Sequence, residues 1–206
     1  MTANDYVLYT TDTETTSLNP ITGDVIELSL IRSTDNVQKT WCLKPLNIDG
    51  IDLNALRING HKLEDLKWET KYGRDTYLDP NKVIVEVENW VAEDNVPATQ
   101  RVLVGANVAF DKAFLDQLWL KCGSADSFPF GRRCLDIQAI EFFMNLCDGN
   151  MLDSYSLASL VKKYSLKNSK AHTAAADTAV TKEVLDKQIL FFKKVLAKQS
   201  DLAMES

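Results

Sequence analysis

The sequence predicts an α/β domain, a central mixed sheet of five strands flanked by helices. Three strand-like runs joined by short links stand before residue 45, and from residue 101 onward short apolar runs alternate with stretches of helical period. Strands first, then a helix–strand–helix alternation, is the pattern of helices packed on a mixed sheet. A third observation points to where chemistry belongs. Sites in such sheets form at strand ends, and acidic side chains recur at those positions in this chain.

The first strand is read over Tyr6–Thr16, Y-V-L-Y-T-T-D-T-E-T-T. Its opening residues are bulky and Thr10, Thr11 and Thr13 are β-branched, both favourable in strands. Side chains alternate between faces, so Asp12 and Glu14 point the same way. Two adjacent carboxylates at the end of an apolar strand repel each other and resist desolvation. Either the strand ends in a solvated acidic turn, or a positive group sits between them, for which a hard divalent cation with oxygen ligands is the natural candidate. Thr15 to Asp24, with Asn19-Pro20 and Gly23, reads as a loop.

The second strand is Val25–Ile31, with Ile26, Leu28 and Leu30 alternating against Glu27 and Ser29; Asp35-Asn36 turns the chain into a third, Val37–Leu43. Leu53–Leu56 and Leu63–Leu66 read as short helical turns around Asn59-Gly60-His61, and Trp68–Tyr77 has no clear period and is assigned to no element. Asp79-Pro80 is a helix start, a cap residue followed by proline at the first helical position. Val83, Val87, Trp90 and Val91 then follow helical spacing.

Arg101–Ala106 is the fourth strand, and Asn107 opens a helix with Phe110, Phe114 and Leu118 on one face and Asp111 in its first turn. The fifth strand is Arg133–Asp136. Helices follow over Ile137–Cys147, with Ile140, Phe143 and Met144 inward, and over Ser156–Tyr164, striped by Leu157, Leu160 and Val161. A long helix runs from about Thr173 to about Lys198. The expected organisation is one domain over residues 1–198, with 199–206 a disordered tail.

At 206 residues, 45% hydrophobic and 25% charged, the chain has the composition of a soluble globular domain with a sizeable core. No apolar run reaches membrane-spanning length, and the N-terminus lacks the basic-then-apolar order of a secretory signal. Cys42, Cys122, Cys134 and Cys147 are scattered without a C-x-x-C pair, so reduced thiols in a cytoplasmic compartment are expected. A net charge of −6 taken alone argues against a polyanionic partner. That count misleads where carboxylates hold divalent ions, because bound metal inverts the local field.

His172 precedes Asp177 by five positions, with Thr173 and three alanines between, small enough to let a bulky ligand approach the helix backbone. Asp12-Thr13-Glu14, then Asn107-x-x-Phe110-Asp111, then His172-x-Ala174-x-x-Asp177 resemble, in order, the three motifs of the DEDDh group, 3′-to-5′ exonucleases of the ribonuclease H-like superfamily. The resemblance runs from about Tyr6 to about Leu185. It implies a ribonuclease H-like fold and hydrolysis of phosphodiester bonds from 3′ ends with release of nucleoside 5′-monophosphates. It further implies two Mg²⁺ or Mn²⁺ ions held by Asp12, Glu14, Asp111 and Asp177, with His172 as general base. The chemistry agrees: such hydrolysis needs a hydroxide at neutral pH and stabilisation of the leaving oxygen, which two metals about 3.5–4 Å apart supply. A histidine of unperturbed pKa about 6.5 is suited to take the proton.

Thr13, Thr15 and Thr16 around the first motif, Leu18 as a wedge against the last base, and Asn59, His61, Asn107 and Phe110 in the nucleotide pocket are the implied substrate contacts. Plain core packing is the rival role of Phe110. Lys162, Lys163, Lys167 and Lys170 suit upstream phosphates or a solvated loop. The chain departs from the family pattern at Ser17, where glycine is usual, at Ala106, where a histidine often precedes the asparagine, and at Asn59, near a common pocket histidine. The D-T-E-T-T form of the first motif inclines the expectation to DNA, with single-stranded 3′ ends as partner. An RNA-directed enzyme of the same group and a catalytically inactive nucleic-acid-binding module are the alternatives. A homodimer or a partner in replication or repair stays open, and no membrane partner is expected.

Overall fold

The computed structural model describes residues 6–67, 77–168 and 170–204, with the side chains of 199–204 outside that description. Residues 68–76 of the unassigned stretch and residues 205–206 of the tail lie outside the described residues. Three strands come first, β1 (Val7–Thr15), β2 (Val25–Arg32) and β3 (Gln38–Leu43). Two short helices follow, α1 (Leu53–Asn59) and α2 (Leu63–Leu66), then β4 (Tyr77–Leu78) and α3 (Pro80–Ala92). The second half alternates: β5 (Arg101–Gly105), α4 (Val108–Lys121), β6 (Cys134–Asp136), α5 (Ile137–Asp148), α6 (Leu157–Lys163) and α7 (Ala174–Met204).

The sheet has six strands in the order β4-β3-β2-β1-β5-β6. β1 pairs antiparallel with β2, and β2 with β3, as a meander, while β5 lies parallel to β1 and β6 parallel to β5. The expected count of five is corrected by β4, whose two residues pair parallel with Cys42 and Leu43. A strand that short has no period to read, so Tyr77 passed as part of an unassigned stretch.

Two layers of helix enclose the sheet. On one face Val7, Tyr9, Leu28, Leu30, Leu103 and their neighbours pack against Val83, Val87 and Trp90 of α3 and Phe114 and Leu118 of α4. On the other, Val104 packs with Ile137 of α5, Leu160 of α6, and Val184 and Leu185 of α7. Every residue of β2 is buried, which is why its polar positions, Glu27 and Ser29, face protein rather than water. Helix ends follow their caps: Asp79 accepts from the Asn81 N–H below Pro80, and Gly60, at φ 75, ends α1 in the left-handed conformation that glycine adopts freely.

Three expectations change on the second face. Phe143 is 58% exposed, and α5 instead turns Ile137, Glu141, Met144 and Asn145 inward. Glu141 is wholly buried because Lys163, Tyr164 and Gln188 converge on it, at 2.5, 2.6 and 2.9 Å. A carboxylate so surrounded displaced phenylalanine from the inward stripe, and it occupies Lys163, one of the lysines assigned to phosphate. Finally, α7 continues to Met204 rather than ending near Lys198, since residues 199–204 contain no proline or glycine to stop it. No helix among the described residues is long and apolar enough to cross a membrane.

Beneath the sheet's first face, Asp94 accepts from the Tyr9 hydroxyl at 2.7 Å and pairs with Arg101, also at 2.7 Å, with no exposed carboxylate surface. Burial alone pushes the Asp94 carboxyl up; Arg101, the Val96 N–H and Tyr9 outweigh it and hold it below its ordinary range. Removing one partner of such a buried pair strands the other's charge. Arg101→Leu is therefore expected to lower unfolding free energy by about 3–5 kcal/mol in urea titration, and removing Asp94 as well should restore much of it. A single-variant loss below about 1 kcal/mol, the value of an exposed pair, would show that the pair is not holding β5 to the loop after α3.

Candidate active site

The site is built at the C-terminal end of β1, where the chain arrives from an apolar core. Register fixes the faces. Val7 and Tyr9 pack on the α3–α4 side with Leu8 on the opposite side, so the alternation sends Asp12 and Glu14 toward α7 and Thr13 toward α4. On the α7 side, Asp12, Glu14 and Asp177 each offer a carboxylate oxygen, and the three oxygens lie within 4.8 Å of one another. Among the described residues no lysine or arginine forms an ion pair with any of them.

Asp111 reaches the strand end from the other side. Gly105 ends β5 in a turn so close that a Cβ there would meet Val108 Cβ at 3.1 Å and the Thr11 carbonyl at 3.3 Å. Asn107 then takes the left-handed conformation (φ 63, ψ 45) and starts α4, which sets Asp111 in the first turn. Asp111 Oδ1 accepts from both the backbone N–H and the hydroxyl of Thr13, each at 2.9 Å. Thr13 thus holds a carboxylate rather than lying open to substrate. Asp111, held at the strand by Thr13, is the first of the neighbouring charges that act on Asp12, so all four acids meet at the end of β1.

Their electrostatics follow from that gathering. Burial, then the charges of Asp111, Glu14, Asp177 and Glu27, push Asp12 well above the usual carboxylate range. Burial with Asp177, Glu27 and Asp111 raises Glu14 to about 8, against the pull of a hydrogen bond from Asn59. Asp111 rises to about 7, mainly through burial, with Asp136 adding and Thr13 opposing. Hard oxygen donors, close together and short of positive charge, are the donor set a divalent cation needs, so the residues present fit such an ion.

Glu27 was not among the residues singled out in the sequence. It stands opposite Glu14 in the β1–β2 register, is 8% exposed, and its Oε1 accepts from the Ala175 N–H at 3.4 Å. The alternation of β2 sets it opposite the apolar face, and because the strand is buried on both faces it meets protein there. His61 is fixed on the same wall, with Nδ1 2.5 Å from the Tyr77 hydroxyl and Nε2 3.5 Å from Glu27. Asn59 is buried and donates to the Thr15 carbonyl at 3.1 Å, so it ties α1 to the end of β1.

His172 sits in the turn before α7 with a left-handed backbone (φ 67) and an exposed side chain. That conformation directs its N–H onto Asp177 Oδ2 at 3.0 Å, and Asn168 donates to Oδ1. Thr15 and Thr16 are buried: Thr15 donates to the Ser17 carbonyl, and Thr16 accepts from the Asp24 N–H at 2.8 Å. Their hydroxyls brace the loop. The Ser17 hydroxyl accepts from the Asn19 N–H inside that loop, a local bond that accommodates the departure from glycine. Leu18 and Ile21, 83% and 70% exposed, project from it. Phe110 stacks on Phe114, centroids 4.8 Å apart, at the margin of the core. Asn107 and Lys170 are exposed.

A sequence model of the exonuclease family matches residues 10–185. The 3′-5′ DNA exonuclease Cap18 of Escherichia coli is 27% identical over 165 residues, 79% of this chain and 82% of that one. Among solved structures, the zinc-bound complex of E. coli exonuclease I with single-stranded DNA superposes with a TM-score of 0.69 at 17% identity, covering 91% of this chain and 41% of that one. The complex of the same enzyme with a dT13 oligonucleotide gives 0.67 at 17% identity, covering 90% and 41%. These neighbours share the fold, and the chain spans about two fifths of their length.

Folding raises the pKa values of Glu14 and Asp111, so between the unfolded values near 4 and the folded ones, about 8 and about 7, the folded state binds more protons than the unfolded chain. Metal-free protein should then lose stability as pH rises through that window. We expect melting temperature in EDTA to be lower at pH 8 than at pH 6, and Mn²⁺ to raise it at pH 8, by about 2.7 kcal/mol of stability at a hundredfold excess over the dissociation constant. Asp111→Asn should leave the metal-free protein unchanged or more stable while removing most of the Mn²⁺ shift. Equal shifts in the two proteins would remove Asp111 from the set.

Proposed function

The chain belongs to the exonuclease family, and from that premise we propose that it shortens DNA from the 3′ end, preferring single strands, by metal-dependent phosphodiester hydrolysis with His172 as general base. The observation that carries the reading is the gathering of Asp12, Glu14 and Asp177 within 4.8 Å, with Asp111 held beside them by Thr13. Like charges assembled in a buried place without a cation cost stability, and binding one or two divalent ions offsets that cost.

Asp12, Glu14 and Asp177 would hold Mg²⁺ or Mn²⁺ on their face of β1. Asp111 would contribute the oxygen that Thr13 leaves free. The ions, when bound, supply a hydroxide nucleophile near neutral pH and a counter-charge for the leaving 3′ oxygen. His172, in an exposed turn next to Asp177, accepts the proton of the attacking water, work an imidazole suits. Asn59, buried beside Glu14, forms the floor of the terminal-nucleotide pocket, and Leu18 and Ile21 meet the last base from the rim. Asn107 and Phe110, at the start of α4, suit the terminal-nucleotide pocket, and Lys170 suits phosphates upstream. Lys162 and Lys167 suit the same phosphates, whereas Lys163 is committed to Glu141.

Two features support DNA over RNA: the activity named for Cap18 and the single-stranded DNA in the exonuclease I complexes. The full set of acids with His172 supports an active enzyme rather than a binding module that lost its chemistry.

With a 5′-labelled single-stranded DNA, the products should shorten stepwise in Mg²⁺ or Mn²⁺ and stay intact in EDTA, and a circular strand should resist. Faster loss of the matching RNA would reassign the substrate, and cleavage of the circle would end the exonuclease reading. His172→Asn keeps a residue tolerant of left-handed backbone and the N–H on Asp177, so it should lower kcat by a factor on the order of 10²–10⁴ while Mn²⁺ affinity stays near wild type. If His61→Ala is the more damaging change to kcat, the base is misassigned.

A further inference from the structure

Asn168 belongs to none of the three motifs, yet it touches one of their acids. It lies between α6 and α7 and lines a cavity of about 250 Å³ together with Leu157, Val161, His172 and Asp177. Its Nδ2 donates to Asp177 Oδ1 at 2.5 Å, and the backbone N–H of His172 donates to Oδ2 of the same carboxylate at 3.0 Å. Asp177 therefore has one fixed donor on each oxygen. Two such bonds fix the plane of the carboxylate, and each oxygen retains lone-pair capacity for another partner.

The amide's other end explains why the residue is asparagine. Asn168 Oδ1 is buried and has no hydrogen-bond partner among the described residues. Leaving a buried acceptor unpaired is costly, and a side chain present only to fill space would have no reason to bear that cost. Among the described residues Asp177 is the amide's one hydrogen-bond partner, and turned over, Oδ1 would face an anion. Local polar rules are broken where function requires it, and here the break sits one bond away from an acid of the cluster.

We propose that Asn168 is a positioning residue of the hydrolytic site, which acts by holding the Asp177 carboxylate in the orientation that meets a divalent cation. The inference rests on the reading of Asp177 as a metal ligand. Donors behind a metal ligand orient it and set its basicity, and their loss costs about 10–100-fold in metal affinity or activity. Thr13 does the equivalent for Asp111, with both of its donors on one oxygen. The acids that arrive on helices are thus each braced by donors from elsewhere in the chain.

The test separates hydrogen bonding from packing. Asn168→Leu keeps most of the volume and removes the donor; Asn168→Ala removes both. Mn²⁺ binding is measured by titration calorimetry on the full chain without nucleic acid, alongside metal-free melting curves and steady-state hydrolysis of single-stranded DNA. Both variants are expected to bind Mn²⁺ about 10–100-fold more weakly, to lose kcat with KM nearly unchanged, and to melt close to wild type in EDTA. Wild-type Mn²⁺ affinity in Asn168→Leu overturns the proposal. So does a fall in metal-free melting temperature in both variants while the folded fraction binds Mn²⁺ like wild type. A wild-type chain that binds no Mn²⁺ at all brings down the metal reading itself, and this inference with it.

Discussion

Mutual repulsion among carboxylates at the end of β1 is the constraint around which the domain is arranged. Asp12 and Glu14 are fixed two positions apart on the central strand of the sheet, Asp177 is brought against them by the last helix, and Glu27 faces Glu14 from the next strand. Each addition makes ionising the others harder. Such an arrangement persists only because the surrounding packing over-determines it. β1 has strand neighbours on both sides and helices on both faces, and β2 is buried along its whole length. The rigid apolar frame keeps four or five acids where water and counter-ions alone would let them separate.

Donors distributed around that frame set how each acid is presented. Thr13 grips Asp111 from β1, Asn168 and the His172 backbone grip Asp177 from the turn before α7, and Asn59 reaches Glu14 from α1. The left-handed backbones of Asn107 and His172 serve the same end, since each aims the start of a helix whose first turn carries an acid. Strain of this kind in a residue other than glycine is uncommon and clusters where geometry matters. Departures from the family pattern are absorbed locally: Ser17 makes a bond within its own loop, and Asn59 supplies an amide where an imidazole is common.

Much of this was legible in the sequence, for reasons that can be named. Asp12 and Glu14 share a face because strand period is two, and Asp111 and Asp177 fall in the first turn of their helices because the apolar spacing after them is helical. The lost parts needed tertiary knowledge. β4 is too short to show a period. Glu27 alternates correctly for a solvated face, but that face is covered by α7. Phe143 obeys helical spacing, yet the inward place went to Glu141, whose burial depends on Lys163, Tyr164 and Gln188 from two other helices. Asn168 carried no motif, because a single donor aimed at one carboxylate leaves no periodic trace.

The placement of α7 also has a consequence for synthesis. The chain leaves the ribosome with Asp12 and Glu14 first, and the parallel partner of β1 follows only when β5 has been made. His172 and Asp177 come later still, on a helix that must cross the finished sheet before it meets β1 and β2. Non-local pairings of this kind form slowly, and domains fold as units once enough chain is available. A nascent chain surrounded by messenger and transfer RNA therefore carries acids but no assembled cluster. Because Asp177 is the last of them in the chain, the four acids stand together only once α7 has packed across the sheet.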